Sequence, residues 1–208
     1  MKISYAITVC NEFIEIQRLI HFLLQNKRHE DQIVVLYDEA NGDPEVLTFL
    51  KPHFMFNEEF TLHTAKFEGH FADWKNKLTS LCNGDYVFQI DADEIPSKFL
   101  IENLPILLEE NPEIDVLLAP RENYVTGLTQ EHINKWGWVV DEKNRINWPD
   151  LQWRIYKNSP KIKWINKVHE RLDGFAIYTH LPIEPEWSLE HIKDIKRQEK
   201  QNNYYDSL

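Results

Sequence analysis

Two cysteines in 208 residues leave no disulfide framework, and neither Cys10 nor Cys82 has the spacing of a zinc site. Glycine is scarce, with six in all. None forms G-x-G-x-x-G after the first strand-like run or G-x-x-x-x-G-K-[ST], which disfavours a dinucleotide enzyme and a P-loop phosphotransferase. No Asn-x-Ser/Thr acceptor occurs, and no apolar run approaches the roughly 20 residues of a membrane span. Met1-Lys2-Ile3-Ser4 leads into a strand pattern instead of a signal peptide. The expectation is a reduced, cytoplasmic, soluble protein with no stable membrane insertion. Excess positive charge is missing too. A net charge of −11 argues against nucleic acid and against an anionic membrane surface as partners. A phosphate-bearing ligand would need a local metal or basic side chains.

What is present is a strand–helix alternation. Ile3 to Val9 is β-rich, and Ile16, Leu19, Ile20, Leu23 and Leu24 recur at helical spacing. Gln32 to Tyr37 reads as a second buried strand, Glu45 to Leu50 as a short helix, and Phe71, Trp74, Leu78 and Leu81 as one helix face. Tyr86 to Ile90 is a third buried strand, and Ser97 caps a helix to about Glu110 that Pro105 should kink or split. This order argues for a parallel α/β sheet. Beyond residue 115 the pattern changes. Val116 to Ala119, Gln152 to Tyr156, Ile162 to Ile165 and Ala176 to His180 read as short strands, and Ser188 to Tyr204 as a charged helix. The expected plan is one domain over 1–208, with a nucleotide-type half (1–115) and a mixed, aromatic-rich half (116–208).

Asp91-Ala92-Asp93-Glu94 follows the Tyr86 strand directly. Residues two apart on an extended chain share a side, so Asp91 and Asp93 would present two carboxylates where open α/β sheets bind ligands. Two clustered hard oxygens suit a divalent cation and, through it, a phosphate. With 13 aspartates in the chain, about one Asp-x-Asp arises by chance, so the surroundings decide. Asn11, Glu12 and Asp38 also stand at strand ends and would converge on the same edge, although Asp and Asn there also serve as turn formers.

Ala6-Ile7-Thr8-Val9-Cys10-Asn11-Glu12, Val34 to Asp38, Trp74-Lys75-Asn76, and Gly84-Asp85-Tyr86 leading into the acidic run resemble family 2 glycosyltransferases of the GT-A fold. Pro149 to Tyr156 and Val168-His169-Glu170-Arg171 resemble the branch that builds bacterial lipopolysaccharide core and related surface glycans. The resemblance runs from about residue 3 to 195. It implies an α/β GT-A fold: a mostly parallel twisted sheet flanked by helices, with a mixed acceptor-side subdomain. It also implies metal-dependent, inverting transfer from a nucleotide-sugar, by default a UDP-sugar, to a saccharide or glycolipid acceptor. Such a protein would be cytoplasmic and peripheral to a membrane only through its acceptor. Thr8, Asn11, Glu12 and Asp38 would hold base and ribose, and Asp91 and Asp93 would hold Mn²⁺ or Mg²⁺ against the diphosphate.

Lys75 would add a positive contact or merely snorkel, and Arg154 would support phosphates or base. Asp150 is the first choice of proton acceptor, although Pro149 stands where the family more usually has glutamate; Glu170 and Glu122 are the reserves. His169 and His180 resemble the branch's histidines, at least one of which would meet the metal or diphosphate. Five of seven tryptophans fall between 136 and 164. Trp136 and Trp138 are the expected acceptor-stacking pair, and Trp153 and Trp164 the expected core pair. Little room remains for a large acceptor platform, which suggests a near-minimal catalytic unit. Two other functions compete: a nucleotidyltransferase making nucleotide-sugars, which would need a Gly-rich basic first loop, and a non-catalytic carbohydrate-binding protein.

Overall fold

The structure, a computed structural model, describes residues 1–205. Its first half is β1 (Ile3–Val9), α1 (Phe13–Asn26), β2 (Gln32–Asp38), α2 (Pro44–Phe56), β3 (Phe60–Ala65), α3 (Phe71–Ser80) and β4 (Tyr86–Asp91). β1, β2 and β4 are largely apolar and buried on both faces, as strands of a helix-covered parallel sheet are. α1 packs Ile16, Leu19, Ile20 and Leu23 into that core. β1 lies parallel to β2 and β4, and β2 parallel to β3. Thr8 is in register with Asp91, so the carboxyl ends of β1 and β4 meet.

The chain continues through β5 (Glu94–Pro96), α4 (Lys98–Glu110), β6 (Val116–Ala119), β7 (Arg121–Thr126), α5 (Gln130–Trp136), β8 (Gln152–Lys157), β9 (Lys163–Ile165), β10 (Arg171–Asp173), β11 (Tyr178–His180), β12 (Leu189–Asp194) and α6 (Ile195–Tyr205). The main sheet has seven strands in the order β11-β6-β8-β4-β1-β2-β3. β8 is antiparallel to both of its neighbours, and β11 is parallel to β6. A second sheet, β5-β12-β7, and the β9–β10 hairpin lie apart from it.

Three expectations are corrected here. α4 is not split at Pro105 but runs through it as one helix, because Leu100, Ile101, Leu104 and Leu108 bury one continuous face that outweighs one lost backbone hydrogen bond. α2 extends past Leu50 through Pro52 to Phe56. The segment expected as a helix from Ser188 begins as strand β12, in which Leu189 and His191 are buried while Glu190 and Ile192 are exposed. That is a period of two; the helix starts only at Ile195.

Candidate active site

The carboxyl ends of β1, β2 and β4, the start of β8 and the β12–α6 segment enclose a cleft of about 1180 Å³. Thr8, Asn11, Glu12, Asp38, Lys75, Asp91, Asp93, Asp150, Arg154, His169 and Glu170 all line it. Seven carboxylates and six lysines or arginines face this space, although the protein as a whole carries −11. Basic side chains are therefore gathered here against the overall charge.

At the β2 end, Asp38 is almost fully buried. Its Oδ1 accepts from the Ala40 and Phe67 N–H groups at 3.0 and 3.1 Å, and its Oδ2 from Asn41 Nδ2 at 2.9 Å. Burial raises its carboxyl, but the Asn41 side chain and these backbone donors outweigh it and hold the group below its usual 3.8. Glu12 closes the turn after β1 by accepting from the Cys10 and Asn11 N–H groups at 2.9 and 3.0 Å.

Asp91 takes Arg154 Nη2 at 2.6 Å on Oδ2 and Gln89 Nε2 at 2.9 Å on Oδ1. Arg154 is 3% exposed, and its remaining donors go to Glu94 at 2.6 and 2.9 Å and to Gln89 at 3.1 Å. It therefore supports Asp91 from below, with its guanidinium already occupied by protein. Asp93 faces a different set. His191 Nε2 and Lys193 Nζ lie 3.4 Å from its Oδ2, and Arg197 Nη2 lies at 3.5 Å. Burial raises both aspartates; Arg154 and Lys75 around the first, and Lys193 with His191 around the second, hold them well below the ordinary carboxylate value.

No cluster of three His, Cys, Asp or Glu side chains suited to a metal occurs among the described residues. Asp91 and Asp93 are hard oxygen donors of the kind that suits Mg²⁺ or Mn²⁺; to hold such an ion, Asp91 would exchange its Arg154 or Gln89 contact and Asp93 its contacts with His191, Lys193 and Arg197.

Asp150, at φ +35°, sits just ahead of β8. Its Oδ2 accepts from Arg121 Nε at 2.9 Å, Arg121 Nη2 at 2.8 Å and Asn123 Nδ2 at 2.6 Å, and its Oδ1 from Gln152 Nε2 at 2.8 Å. Burial opposes its charge, but Arg121 and Asn123 prevail and depress its pKa. Glu170 pairs with Lys75 at 3.1 Å, and Lys75 Nζ also lies 4.6 Å from the Trp164 ring centre. Lys75 therefore makes specific contacts and does not snorkel to solvent.

Two candidates fall away. Glu122 is outside the cleft lining and is bonded to Ser188 and Tyr124 at 2.8 and 3.0 Å. His180 is exposed on edge strand β11, three strands from β4, or roughly 14 Å at the usual spacing. It cannot share a metal with Asp91; His169 is the histidine of that pair that lines the cleft.

Trp164 is core as expected, and Trp153 is half-buried against the same core cluster while also lining the cleft, packing on Phe175 and Tyr178 at 5.5 and 5.6 Å. Of the expected stacking pair, Trp138 reaches the cleft, while Trp136 stacks on His132 at 5.3 Å. Glu94, Arg121, His191, Lys193 and Arg197 were not anticipated. Glu94 was visible as the fourth residue of the acidic run. His191 and Lys193 share a side only on a strand, and helical periodicity hid them.

The sequence model described as "Glycosyl transferase family 2" matches residues 4–182. No curated protein matches the chain. Among solved structures, residues 1–349 of S. aureus TarS in complex with UDP superpose with a TM-score of 0.62 at 16% identity, covering 92% of this chain and 60% of that one. The same TarS portion in complex with UDP-GlcNAc gives a TM-score of 0.62 at 17% identity, covering 93% of this chain and 59% of that one. The chain thus spans about 60% of the length of these TarS structures. The likeness assigns the GT-A fold.

Proposed function

The chain belongs to glycosyl transferase family 2, and on that premise we propose that it transfers a sugar from a nucleotide-sugar to a saccharide or lipid-linked acceptor, with a divalent metal and with inversion. A UDP-sugar is the preferred donor, because TarS of the same fold was crystallised with UDP and with UDP-GlcNAc. A glycolipid of the lipopolysaccharide-core type is the proposed acceptor class. The protein would work in the cytoplasm and meet a membrane only through that acceptor; no helix among the described residues is long and apolar enough to cross one.

One observation carries this reading. Asp91 and Asp93 lie at the carboxyl end of β4, in a cleft shared with Lys75, Lys193, Arg197 and a separate carboxylate, Asp150. Thr8, Asn11, Glu12 and Asp38 would bind base and ribose at the β1–β2 end. Asp91 and Asp93 would hold the Mn²⁺ or Mg²⁺, which when bound neutralises charge growing on the departing diphosphate. Lys75, Lys193 and Arg197 would exchange their carboxylate partners for phosphate oxygens, adding positive charge at the same place. Asp150 would take the proton of the acceptor hydroxyl as that oxygen attacks the anomeric carbon and the nucleoside diphosphate leaves from the opposite face. Trp138 and Trp153 would offer flat apolar surfaces to the acceptor sugar. A nucleotidyltransferase is disfavoured, because the turn after β1 is closed by the Glu12 carboxylate and has no basic glycine-rich loop.

The test is a panel of nucleotide-sugars headed by UDP-GlcNAc, each with Mn²⁺ or Mg²⁺, scored for thermal stabilisation and nucleotide release. No response to any donor would overturn the reading. Asp91→Asn and Asp93→Asn are expected to abolish metal-dependent donor binding. Asp150→Asn is expected to bind donor normally and lose transfer; lost donor binding would move Asp150 into the donor site.

A further inference from the structure

Five side chains of alternating charge run along the wall of the cleft in unbroken contact, four of them lining it and Glu94 behind them. Asp91 meets Arg154 at 2.6 Å, Arg154 meets Glu94 at 2.6 Å, Glu94 meets Arg121 at 2.8 Å, and Arg121 meets Asp150 at 2.8 Å. Glu94 is fully buried and sits on β5 of the second sheet, as Arg121 does on β7. Arg154 belongs to β8 of the main sheet. The chain of contacts therefore crosses between sheets, from the carboxylate assigned to the donor to the carboxylate assigned to the acceptor. We propose that Glu94 and Arg121 are positioning residues that fix Asp150 relative to Asp91, and that they leave Asp150 Oδ1 as the oxygen that accepts the proton. The proposal rests on the reading of Asp150 as proton acceptor.

The geometry separates the two oxygens of Asp150. Oδ2 receives both nitrogens of the Arg121 fork and the Asn123 amide, which fills its lone-pair directions. Among the described residues, Oδ1 receives only Gln152 Nε2, leaving it room for a hydroxyl. The groups facing this carboxylate are Arg121 and Asn123 from β7 and Gln152 from β8, so Arg121 is the cation that sets its charge. Glu94 in turn holds Arg121 by one end of the guanidinium, and its bidentate grip on Arg154 leaves no freedom to swing. The donor-side and acceptor-side carboxylates are thereby joined by one continuous run of ion pairs.

Arg121→Gln is the informative variant, since Glu94 keeps Arg154 while Asp150 loses the cation beside it and keeps the Asn123 and Gln152 amides. The probe is UDP release from a UDP-sugar with Mn²⁺, water serving as acceptor, alongside UDP affinity and a carboxyl-carbon NMR titration of Asp150. Expected are UDP affinity within about twofold of the parent, turnover at least about tenfold lower, and an Asp150 titration raised by roughly one unit. Arg121→Lys should restore the titration and only part of the turnover, because a lysine lacks the fork. Unchanged turnover with an unmoved titration, or UDP affinity lost in parallel with turnover, would overturn the proposal. Asp150→Asn separates the two readings. If it keeps full turnover, the proton-acceptor assignment is wrong; if it loses turnover while Arg121→Gln does not, only the positioning role fails.

Discussion

Asp38 has a structural duty at the cleft, separate from the binding role proposed for it. Its carboxylate gathers the N–H groups of Ala40 and Phe67 and the Asn41 amide, which pins the loops leaving β2 and β3 beside the cleft. Gly42 completes that loop by donating its N–H to the Asp38 carbonyl at 2.9 Å. A Cβ at position 42 would run into that carbonyl and the Tyr37 ring. Asp38→Ala takes the acceptor from three partly buried donors, so it should cost about 1 kcal/mol in urea unfolding and also weaken UDP binding. The sign of its pH dependence follows from the depressed folded pKa. The stabilisation is complete above the unfolded value and is lost as pH falls through the folded one. The difference in stability between the parent and Asp38→Asn should be level above about pH 5 and shrink below about pH 4. A difference that shrank instead on going from about pH 6 to 8 would contradict this assignment.

At the scale of elements, α3 is tied to the β9–β10 hairpin by a side chain that imitates a strand. Asn76 donates to the Trp164 carbonyl at 2.8 Å and accepts from its N–H at 2.9 Å. Tyr156 adds a second tie, bonding Thr79 at 2.6 Å and receiving the Trp164 indole N–H at 3.1 Å. This docking places Lys75, on α3, against Glu170, beside β10. Asn76→Ala should cost about 1–3 kcal/mol by thermal or urea unfolding and should raise the donor's dissociation constant by releasing Lys75. Stability lost with donor affinity intact would show that Lys75 does not meet the donor. The contrast also shows which elements were legible. β1, β2, β4 and their helices announce themselves, because continuous apolar runs and amphipathic stripes are local signals. Asp38, Asp91 and Asp93 follow from their places at strand ends. β5, β7 and β12 pair only with strands distant in sequence, so three to six residues carry too little pattern, and His191, Lys193 and Arg121 stayed hidden with them. Glu122 and His180 were carried by resemblance alone, and tertiary placement removes both.

For the whole molecule, the charge distribution sets a testable asymmetry. A protein of −11 repels a nucleoside diphosphate at long range, while the basic side chains of the cleft, set there against seven carboxylates, can act on it only at short range. Screening by salt should remove both effects beyond roughly 8–10 Å and leave buried contacts largely intact. UDP affinity should therefore fall by no more than a few-fold between about 0.05 and 0.5 M salt. A steep loss would mean that the basic groups act from the surface. The order of strands has a consequence of a different kind. β8 lies between β4 and β6 at the centre of the main sheet, yet it is among the later strands along the chain. Until residues 152–157 have been synthesised and inserted, the β4 edge is open, with unpaired backbone groups beside a hydrophobic face. The floor of the cleft is missing for the same interval, because Arg154 arrives on that strand. The strand that joins the two halves of the sheet thus also brings Arg154 to the site, while His191, Lys193 and Arg197 come from β12 and α6, later still along the chain.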